Sequence, residues 1–431
     1  MLSRMSDAIQ ERFSELGVHV PRITMPAHGV DLYRWAVIAC DQHTSEPDYW
    51  EEVSRIVGDS PSTLRLIYPE VFLGHHDFDE RIQSIHQYMA NYMESNTVEE
   101  LDPGFVFTVR STPHVSERRG LMLAIDLDEY EFTPGASTLI RATERTIVER
   151  LPARVQIRQG APLEIPHVLV LIDDPDDLVF GSLNGDDLPQ LYSTQLMLGG
   201  GNVAGYHIRG EVLDRVADAL RSLRDRSDGK HPFLFAVGDG NHSLASAKRV
   251  WEEMKATSPP DHPARYALVE VVNLYDPGLR VEPIHRLVMA EDPEGWLARA
   301  GDSLGERVDE CTHEEIRREL RHGKASIGYL SGKSCGLIRL RNGKDLPVGV
   351  LEEYLQQELQ QNDSIRVDYI HGWDTSVQLA GRDGTVVLLL PEFDQRLLFP
   401  TVSKRGVLPR KAFSLGEAEE KRYYLEARRI M

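Results

Sequence analysis

Runs of apolar residues flanked by turn-forming residues predict buried β-strands at 121–127, 168–172, 233–237, 266–274 and 386–390. Between these runs, apolar residues recur at spacings of three and four, which is typical of amphipathic helices. The clearest predicted helices are 78–93, 211–224, 242–255 and 351–361. This alternation of strands and helices predicts a mixed α/β fold.

The predicted strand 233–237 runs through a glycine-containing turn directly into the predicted helix 242–255. The turn consists of Gly238, Asp239, Gly240, Asn241, His242 and Ser243. Glycine allows close approach of the backbone, and a helix start presents unpaired N–H groups and a positive dipole end, so a phosphate could bind there. The turn matches neither the P-loop pattern nor the dinucleotide-binding pattern G-x-G-x-x-G, so it would hold a phosphate in another way.

A simpler interpretation of the turn is that Asn241 or Ser243 caps the helix and does nothing else. Asp239 and His242 favour a binding site, because a cap needs neither a carboxylate that can hold a metal ion nor an imidazole that can donate to an anion. The sequence therefore predicts a phosphate site at this turn, with Asp239 as a metal ligand.

A second polar motif follows the apolar run 35–40 and extends from Asp41 to Glu46. Its position after a predicted strand is a common place for a functional site. Asp41 and Glu46 are candidates for a general base that takes a proton from a hydroxyl group. The alternative is a capping box formed by Ser45 and Asp48, ahead of a helix whose apolar stripe includes Trp50.

Basic residues form clusters in a chain that is otherwise acidic. The segment 141–158 contains Arg141, Arg145, Arg150, Arg154 and Arg158. Arginines bind phosphate and carboxylate oxygens, but alternating Glu and Arg is equally natural on a solvated helix. A second cluster consists of Lys404, Arg405, Arg410 and Lys411. It could bind a donor phosphate or simply keep the surface soluble.

Length and composition limit the classes of protein. At 431 residues, the chain exceeds the roughly 250 to 300 residues that one hydrophobic core supports. A formal charge of -20 argues against a nucleic-acid or membrane-surface role. Cys40, Cys311 and Cys335 form no CxxC pair, which argues against a disulfide framework and a thiolate zinc site. The chain shows no signal peptide and no run of about 20 apolar residues, so we expect a cytoplasmic protein.

Proline and glycine at 159–166 and 290–293 indicate boundaries between regions. We predict an amino-terminal α/β region at 1–165 that carries the Asp41 to Glu46 motif. We predict a central phosphate-binding α/β region at 166–290 and a carboxyl-terminal α/β region at 291–431. The sequence does not indicate an oligomeric state.

The central turn and its helix resemble the D-G-H-H-R-x-x-x-A box of the family catalogued as domain of unknown function 1015. Further matching stretches are ACDQ at 39–42, TSEP at 44–47, PSTLR at 61–65, RATE at 141–144 and LPRK at 408–411. The resemblance covers nearly the whole chain and implies a ParB/sulfiredoxin-like core with additional α/β regions. Within the family, the chain looks most similar to pyrophosphate-dependent kinases of free serine.

The resemblance implies phosphoryl transfer to a small alcohol such as free L-serine, giving O-phosphoserine. Mg²⁺ is the expected cofactor, because pyrophosphate and nucleotide phosphates normally need a hard cation. Glu46 or Asp41 would handle the hydroxyl proton. The turn and the Lys404 to Lys411 cluster would bind the donor, either pyrophosphate or a nucleotide. The residues expected to bind substrate are Thr44, Ser45, Arg141, Glu144, Thr146, His285 and Arg286. A lone histidine beside a strand is more often part of the core, so that alternative stays open for His285.

One departure from the family pattern bears on the donor. Where the family has His-Arg, this chain has His242-Ser243, so an arginine that could hold a nucleotide is missing. This difference favours the smaller donor, pyrophosphate. Two other functions use the same anion site: hydrolysis, as in a phosphatase or pyrophosphatase, and non-catalytic binding of a phosphorylated metabolite.

Overall fold

A computed structural model describes residues 2–227, 231–321, 325–341, 346–362, 364–409 and 411–431, with side chains described from residue 8 onward. The chain forms two compact units, one of Met1–Leu279 with Gly416–Met431 and the other of Arg280–Leu415. This division differs from the three predicted regions, because residues 1–165 and 166–279 share one unit. The boundary after Leu279 lies close to the one expected at 290.

Helices and strands alternate along both units. The described helices are α1 (Leu2–Ser14), α2 (Leu32–Trp35), α3 (Pro47–Val57), α4 (Phe78–Glu94), α5 (Leu151–Arg158), α6 (Glu211–Arg226), α7 (Asn241–Met254), α8 (Pro293–Leu304), α9 (His313–Arg321), α10 (Pro347–Gln361), α11 (Trp373–Ala380) and α12 (Leu398–Arg405). None of these described helices combines the length and the apolar character needed to cross a membrane.

The strands vary from two to nine residues in length. They are β1 (Val18–His19), β2 (Thr24–Pro26), β3 (Val98–Glu100), β4 (Phe105–Ser111), β5 (Arg118–Asp126), β6 (Tyr130–Glu131), β7 (Ile140–Ala142), β8 (Leu163–Glu164), β9 (Leu169–Ile172), β10 (Gln190–Gln195), β11 (Asn202–Ile208), β12 (Phe235–Asp239), β13 (Tyr266–Asn273), β14 (Val281–Pro283), β15 (His285–Met289), β16 (Gly305–Asp309), β17 (Ser326–Ser331), β18 (Ser334–Leu340), β19 (Arg366–Ile370), β20 (Thr385–Leu389), β21 (Phe413–Leu415) and β22 (Arg428–Arg429).

The first unit is built on a mixed sheet with the strand order β10-β11-β4-β5-β13-β9-β12-β7-β6, and β1 pairs with β5. Strands β9 and β13 run parallel, whereas β9 and β12 run antiparallel. The apolar runs predicted as strands form β5, β9, β12, β13 and β20, with shifts of a few residues at their ends. The mixed α/β fold is therefore confirmed, while the finer ParB/sulfiredoxin-like assignment remains a prediction.

The predicted helices are confirmed as α4, α6, α7 and α10. In α7, the stripe of Leu244, Ala247 and Trp251 is buried against the sheet, and Met254 packs at its edge. This burial fixes α7 along the sheet and leaves its first turn at the end of β12.

The second unit contains an antiparallel sheet with the order β16-β18-β17-β20-β15-β19. His285 lies in β15 with 6% of its surface exposed, and its Nδ1 accepts the N–H of Leu390 at 3.1 Å. Arg286 is fully buried, donates to the carbonyl of Lys411 at 3.1 Å and lies over the ring of Tyr369. Both residues therefore have structural partners in the interior of this unit.

Burial, followed by the charges of His371 and Arg286, lowers the pKa of His285 from 6.5 to about 4. As the pH falls, His285 is protonated in the unfolded chain at a higher pH than in the folded one. The second unit should therefore lose about 3 kcal/mol of stability between pH 6.5 and about pH 4. His285→Gln, which keeps an acceptor for Leu390, should remove this loss. Urea denaturation at several pH values measures it, and an equally steep pH dependence in the variant would contradict the assignment.

Candidate functional site

The site begins where β12 ends and α7 starts. Gly240 has φ of 77°, and a Cβ atom there would lie 3.0 Å from the Cα of Val168, so glycine is required by both conformation and space. The first bond of the helix runs from the N–H of Leu244 to the carbonyl of Gly240. The N–H groups of Asn241, His242 and Ser243 thus precede the helical hydrogen-bond ladder.

Gly240 is the N-cap of α7, and no side chain caps the helix. The simpler interpretation, with Asn241 or Ser243 as the cap, is therefore wrong. In addition, the side-chain oxygen of Asn241 is buried and has no hydrogen-bond partner among the described residues. The helix start has the backbone geometry of an anion site, and the Asn241 oxygen beside it is an acceptor that a hydrogen-bond donor or a metal ion could satisfy.

Gly240→Ala should destabilise the first unit by about 2 to 4 kcal/mol. Alanine would have to adopt the left-handed conformation of this position, and its Cβ would crowd the backbone of Val168. Gly74→Ala is the control. Gly74 is the third residue of a type II turn closed by the N–H of His75 and the carbonyl of Phe72, and its φ is 87°. An added Cβ there would meet nothing within 4 Å. Its cost should stay near 1 kcal/mol. If urea denaturation shows that both variants lose the same free energy of unfolding, the contact with Val168 does not contribute to the cost at Gly240.

His167 reaches this helix start because β9 and β12 are antiparallel. Leu169, the first residue of β9, pairs with Asp239 at the end of β12, so the residues just before β9 lie beside Gly240. A Cβ atom on Gly240 would lie 3.4 Å from the ring of His167. The ring also contacts Tyr424, whose hydroxyl lies 2.8 Å from Nδ1, and Asp41, whose carboxylate lies 3.8 Å from Nε2.

Burial alone would lower the pKa of His167, but the Asp41 carboxylate, the Cys40 thiol and Asp239 outweigh it and raise the pKa to about 10. The ring is therefore cationic at neutral pH. This places a positive charge next to the helix start, where it adds to the dipole of α7.

The carboxyl-terminal segment, Gly416–Met431, supplies a second cation. Lys421 Nζ lies 2.9 Å from a carboxylate oxygen of Asp239, and the other oxygen of Asp239 accepts the N–H of Gly240. Burial would raise the pKa of Asp239, but Lys421, Gly240 and His167 lower it. Asp239 is therefore held as a carboxylate.

Hydrogen bonds fix this segment beside the strand-like run that leads to Asp41. The N–H of Ala39 donates to the carbonyl of Arg422, and the N–H of Tyr424 donates to the carbonyl of Val37, both at 2.8 Å. The Tyr424 hydroxyl also accepts the N–H of Cys40 at 3.0 Å. The segment thus joins the Asp41 side of the site to the Asp239 side.

Buried charges anchor the segment further. Arg110 donates to the carbonyl of Glu420 at 3.1 Å and also to those of Glu419 and Lys421. Arg422 pairs with Glu270 at 3.0 Å and with Glu426. These contacts hold the main chain at Lys421 in one position relative to the sheet.

A chamber of about 120 Å³ lies against the first turns of α7. Its polar lining includes Cys40, Glu70, Arg154, His167, Ser243 and Tyr424, and its apolar walls include Leu66, Met89 and Ile157. A wider cleft of about 470 Å³ is lined by Phe78, Glu149, Arg150 and other residues. Glu70, Leu73 and Arg154 line both spaces, so the chamber and the cleft meet at these side chains.

The candidates for the base differ in their surroundings. Asp41 is three-quarters buried and adjoins His167. The side chain of Glu46 is 64% exposed and contacts Nδ1 of His43 at 3.1 Å. The alternative interpretation, a capping box of Ser45 and Asp48, does not apply to this described segment, because Glu46 rather than Ser45 is the N-cap of α3 and no side chain caps it. Thr44 and Ser45 lie in the turn ahead of α3.

The predicted site residues in and after β7, and His242 in the turn before α7, have varied roles. Arg141 is buried, donates to the carbonyls of Thr138 and His231 and lies over the ring of Phe233, which gives it a structural role. His242 uses Nε2 to accept the N–H of Ile147 at 3.2 Å, so that nitrogen does not donate to an anion as expected. Glu144 is partly buried.

Thr146 lies in the same loop, one residue before Ile147. It is buried, and its hydroxyl has no partner among the described residues. Of the predicted substrate residues that follow β7, Thr146 has the clearest capacity to accept a ligand.

The other predicted residues belong to the second unit, whereas the arrangement around Asp239 is built from the first. Lys404 and Arg405 are exposed at the end of α12, and Lys411 is exposed. Arg410 lies outside the described residues. His285 and Arg286 are interior residues of the second unit, as the core interpretation of His285 expects.

A magnesium ion would find one carboxylate at the start of α7. The described residues contain no group of three or more His, Cys, Asp or Glu side chains arranged to hold a metal. Asp239 is paired with Lys421 and with the N–H of Gly240. Mg²⁺ is often bound by one or two carboxylates plus substrate phosphates, and Asp239 fits that mode rather than a preformed cage.

Sequence patterns did not identify His167, Lys421, Tyr424 or Glu70 as site residues. His167 carried a weak signal, because it directly precedes a predicted strand that neighbours the strand before the turn. Lys421 had no local signal at all, since its contact with Asp239 spans 182 positions.

Comparison with solved structures finds distant likenesses. A conserved hypothetical protein from Pyrococcus furiosus is 10% identical, with 70% of this chain and 90% of that chain covered and a TM-score of 0.35. A free serine kinase in complex with AMP is 10% identical, with the same coverage and a TM-score of 0.39. A carboxyl-terminally truncated SbnI from Staphylococcus aureus is 10% identical, covers 68% and 82%, and has a TM-score of 0.38.

No curated protein matches the chain. A family model does match it, over residues 23–362, which is most of its length. The Asp41 to Glu46 motif and the Gly238 to Ser243 turn both fall within that match, whereas Lys421 and Tyr424 lie beyond it. The chain therefore belongs to the family described as protein of unknown function (DUF1015).

Proposed function

We propose that this protein is a phosphotransferase that moves a phosphoryl group from a small donor to the hydroxyl group of a small metabolite. Free L-serine is the proposed acceptor and O-phosphoserine the product. The observation that carries the proposal is the start of α7, where no side chain caps the helix and two cations lie close by. Lys421 pairs with Asp239 just before this start, and the ring of His167 lies beside Gly240. Ser243, in the first turn of α7, and His167 both line the chamber.

Phosphoryl transfer depends mainly on positioning and on neutralising the charge of the donor. The N–H groups of Asn241, His242 and Ser243 would hold the donor phosphate, and the dipole of α7 favours a negative charge there. Lys421 and His167 would neutralise the charge that builds up on the phosphate oxygens. Both cations already have a carboxylate partner, so they are held in place before the donor binds.

Of the candidates for the general base, Asp41 has the better support. It adjoins His167, whose ring lines the chamber, whereas Glu46 is mostly exposed. A base must come within hydrogen-bonding reach of the proton that it takes. Asp41 would accept the proton from the acceptor hydroxyl while His167 keeps its own proton.

Magnesium, when bound, would neutralise the donor phosphates. Asp239 would be its protein ligand, and phosphate oxygens and water would complete the shell. Asp239 would then exchange one cationic partner for another, which leaves Lys421 available to the phosphate.

We propose pyrophosphate as the donor. In this chain Ser243 takes the place of the arginine that follows the second His of the family pattern, so a group that could hold a nucleotide is missing.

Incubation of the protein with L-serine, Mg²⁺ and either pyrophosphate, ADP or ATP tests the proposal by phosphoserine detection. We expect phosphoserine with pyrophosphate, and loss of turnover in Asp41→Asn. Equal phosphate release with and without serine would indicate a hydrolase instead. Donor binding without any phosphorylated product would indicate a binding protein.

A further inference from the structure

The chamber and the cleft meet at an ion pair between Glu70 and Arg154. Both side chains line both spaces, and each has 19% of its surface exposed. A carboxylate and a guanidinium therefore stand side by side where a ligand would pass from the wide cleft into the small chamber.

Each partner of the pair is attached to one side of the site described above. The N–H of Glu70 donates to the carbonyl of Cys40 at 2.8 Å, one residue before Asp41. Arg154 belongs to α5, which packs against α7, and it also donates to the carbonyl of Arg150 at 2.8 Å. The pair thus lies between the Asp41 side of the site and the helix that holds the phosphate.

Adjacent opposite charges complement a zwitterion. A guanidinium binds a carboxylate through parallel hydrogen bonds, and a carboxylate accepts hydrogen bonds from an ammonium group. A ligand with only one of these charges would leave either Glu70 or Arg154 without a partner, which is costly in a largely buried position. A ligand with both charges would satisfy the two side chains and replace their mutual contact.

We propose that Glu70 and Arg154 bind the α-ammonium and α-carboxylate groups of a free amino acid. The amino acid enters with its side chain pointing into the chamber toward Ser243. This inference rests on the proposed function insofar as it makes that amino acid the phosphoryl acceptor. The chamber's volume of about 120 Å³ restricts the side chain to a small one.

Calorimetric titration of the full-length protein tests the proposal without relying on turnover. The ligands are L-serine, L-alanine, which has no hydroxyl, L-serinamide, which lacks the carboxylate, and glycerate, which lacks the ammonium group. The wild type should bind L-serine and L-alanine, and should bind the other two ligands about 10- to 100-fold more weakly.

Each of two variants should lose one of these two binding preferences. Arg154→Gln should no longer prefer L-serine to L-serinamide, and Glu70→Gln should no longer prefer L-serine to glycerate. Matched controls are Arg150→Gln and Glu149→Gln, which change residues that line only the cleft and should keep both preferences. The conservative variants Arg154→Lys and Glu70→Asp keep the charges, so they should keep both preferences with weaker binding. They also test the proposal if Arg154→Gln or Glu70→Gln does not fold.

Unchanged discrimination in folded Arg154→Gln and Glu70→Gln would overturn the inference, even if the wild type makes phosphoserine. Loss of both preferences in the Arg150 and Glu149 controls would overturn it as well. Amino-acid binding with the expected discrimination, but without a phosphorylated product from any donor, would support the inference and reject the kinase.

Discussion

Lys421→Met is expected to lower kcat/KM for phosphoryl transfer about 100- to 1,000-fold, the range seen when one preorganised charge-stabilising group is removed. Lys421 lies 2.9 Å from Asp239, so its loss would also leave that carboxylate facing the donor phosphate with one cation fewer. Both effects work against binding of an anion at the start of α7. Steady-state kinetics with pyrophosphate and L-serine would measure the loss.

Lys248→Met is the matched control, because Lys248 has similar exposure, 13% against 14%, and also lies 2.9 Å from a carboxylate, that of Glu252. It also donates to the carbonyl of Leu127. We expect a comparable loss of stability from the two substitutions, but a loss of activity only from Lys421→Met. Equal activity in the two variants would remove Lys421 from the donor site.

Arg422→Met is expected to lower the free energy of unfolding by about 3 to 5 kcal/mol, the usual result of removing one member of a buried ion pair. Arg422 is buried with Glu270 and Glu426, and the Tyr192 hydroxyl bonds to Glu426 as well. The substitution would leave two carboxylates in the interior with fewer partners. Urea denaturation of both proteins measures the difference.

The pH dependence of this variant gives an independent check. Burial would raise the pKa of Glu270, but Arg422 and Arg118 lower it from 4.5 to about 2. A lowered carboxyl pKa stabilises the fold above pH 4.5, and that contribution disappears as the pH falls from 4.5 through about 2. Arg422→Met should therefore flatten the acid limb of the stability curve.

Arg249→Met serves as the control for Arg422→Met. Arg249 forms an exposed pair with Glu253 in α7, and its loss should cost less than about 1 kcal/mol. A loss of that small size for Arg422→Met as well would contradict the role of Arg422 as an anchor of the carboxyl-terminal segment.

The sequence predicted those parts of the fold that depend on local patterns. The strands β9, β12 and β13 are apolar on both faces because the sheet is covered, so they appear as continuous runs. The glycine turn before α7 was recognisable because Gly240 must adopt a left-handed conformation next to another strand. These local requirements do not need any knowledge of distant partners.

The composition of the site could not be predicted in the same way. Glu70 and Arg154 meet across 84 positions, and Lys421 meets Asp239 across 182. The residues that adjoin these four in the sequence do not indicate which distant partner each one contacts. Conversely, Arg141 looked suited to an anion but is used to bind backbone carbonyls, because it lies in a buried strand where those carbonyls need donors.

The return of residues 416–431 to the first unit sets an order for folding during synthesis. The ribosome releases the chain from its amino terminus, so Glu270 must wait for Arg422 until all of 280–415 has been made. During that interval, the nascent first unit lacks a buried counter-ion as well as the lysine opposite Asp239. Assembly of the proposed phosphate site therefore requires that residues 416–431 have already been synthesised.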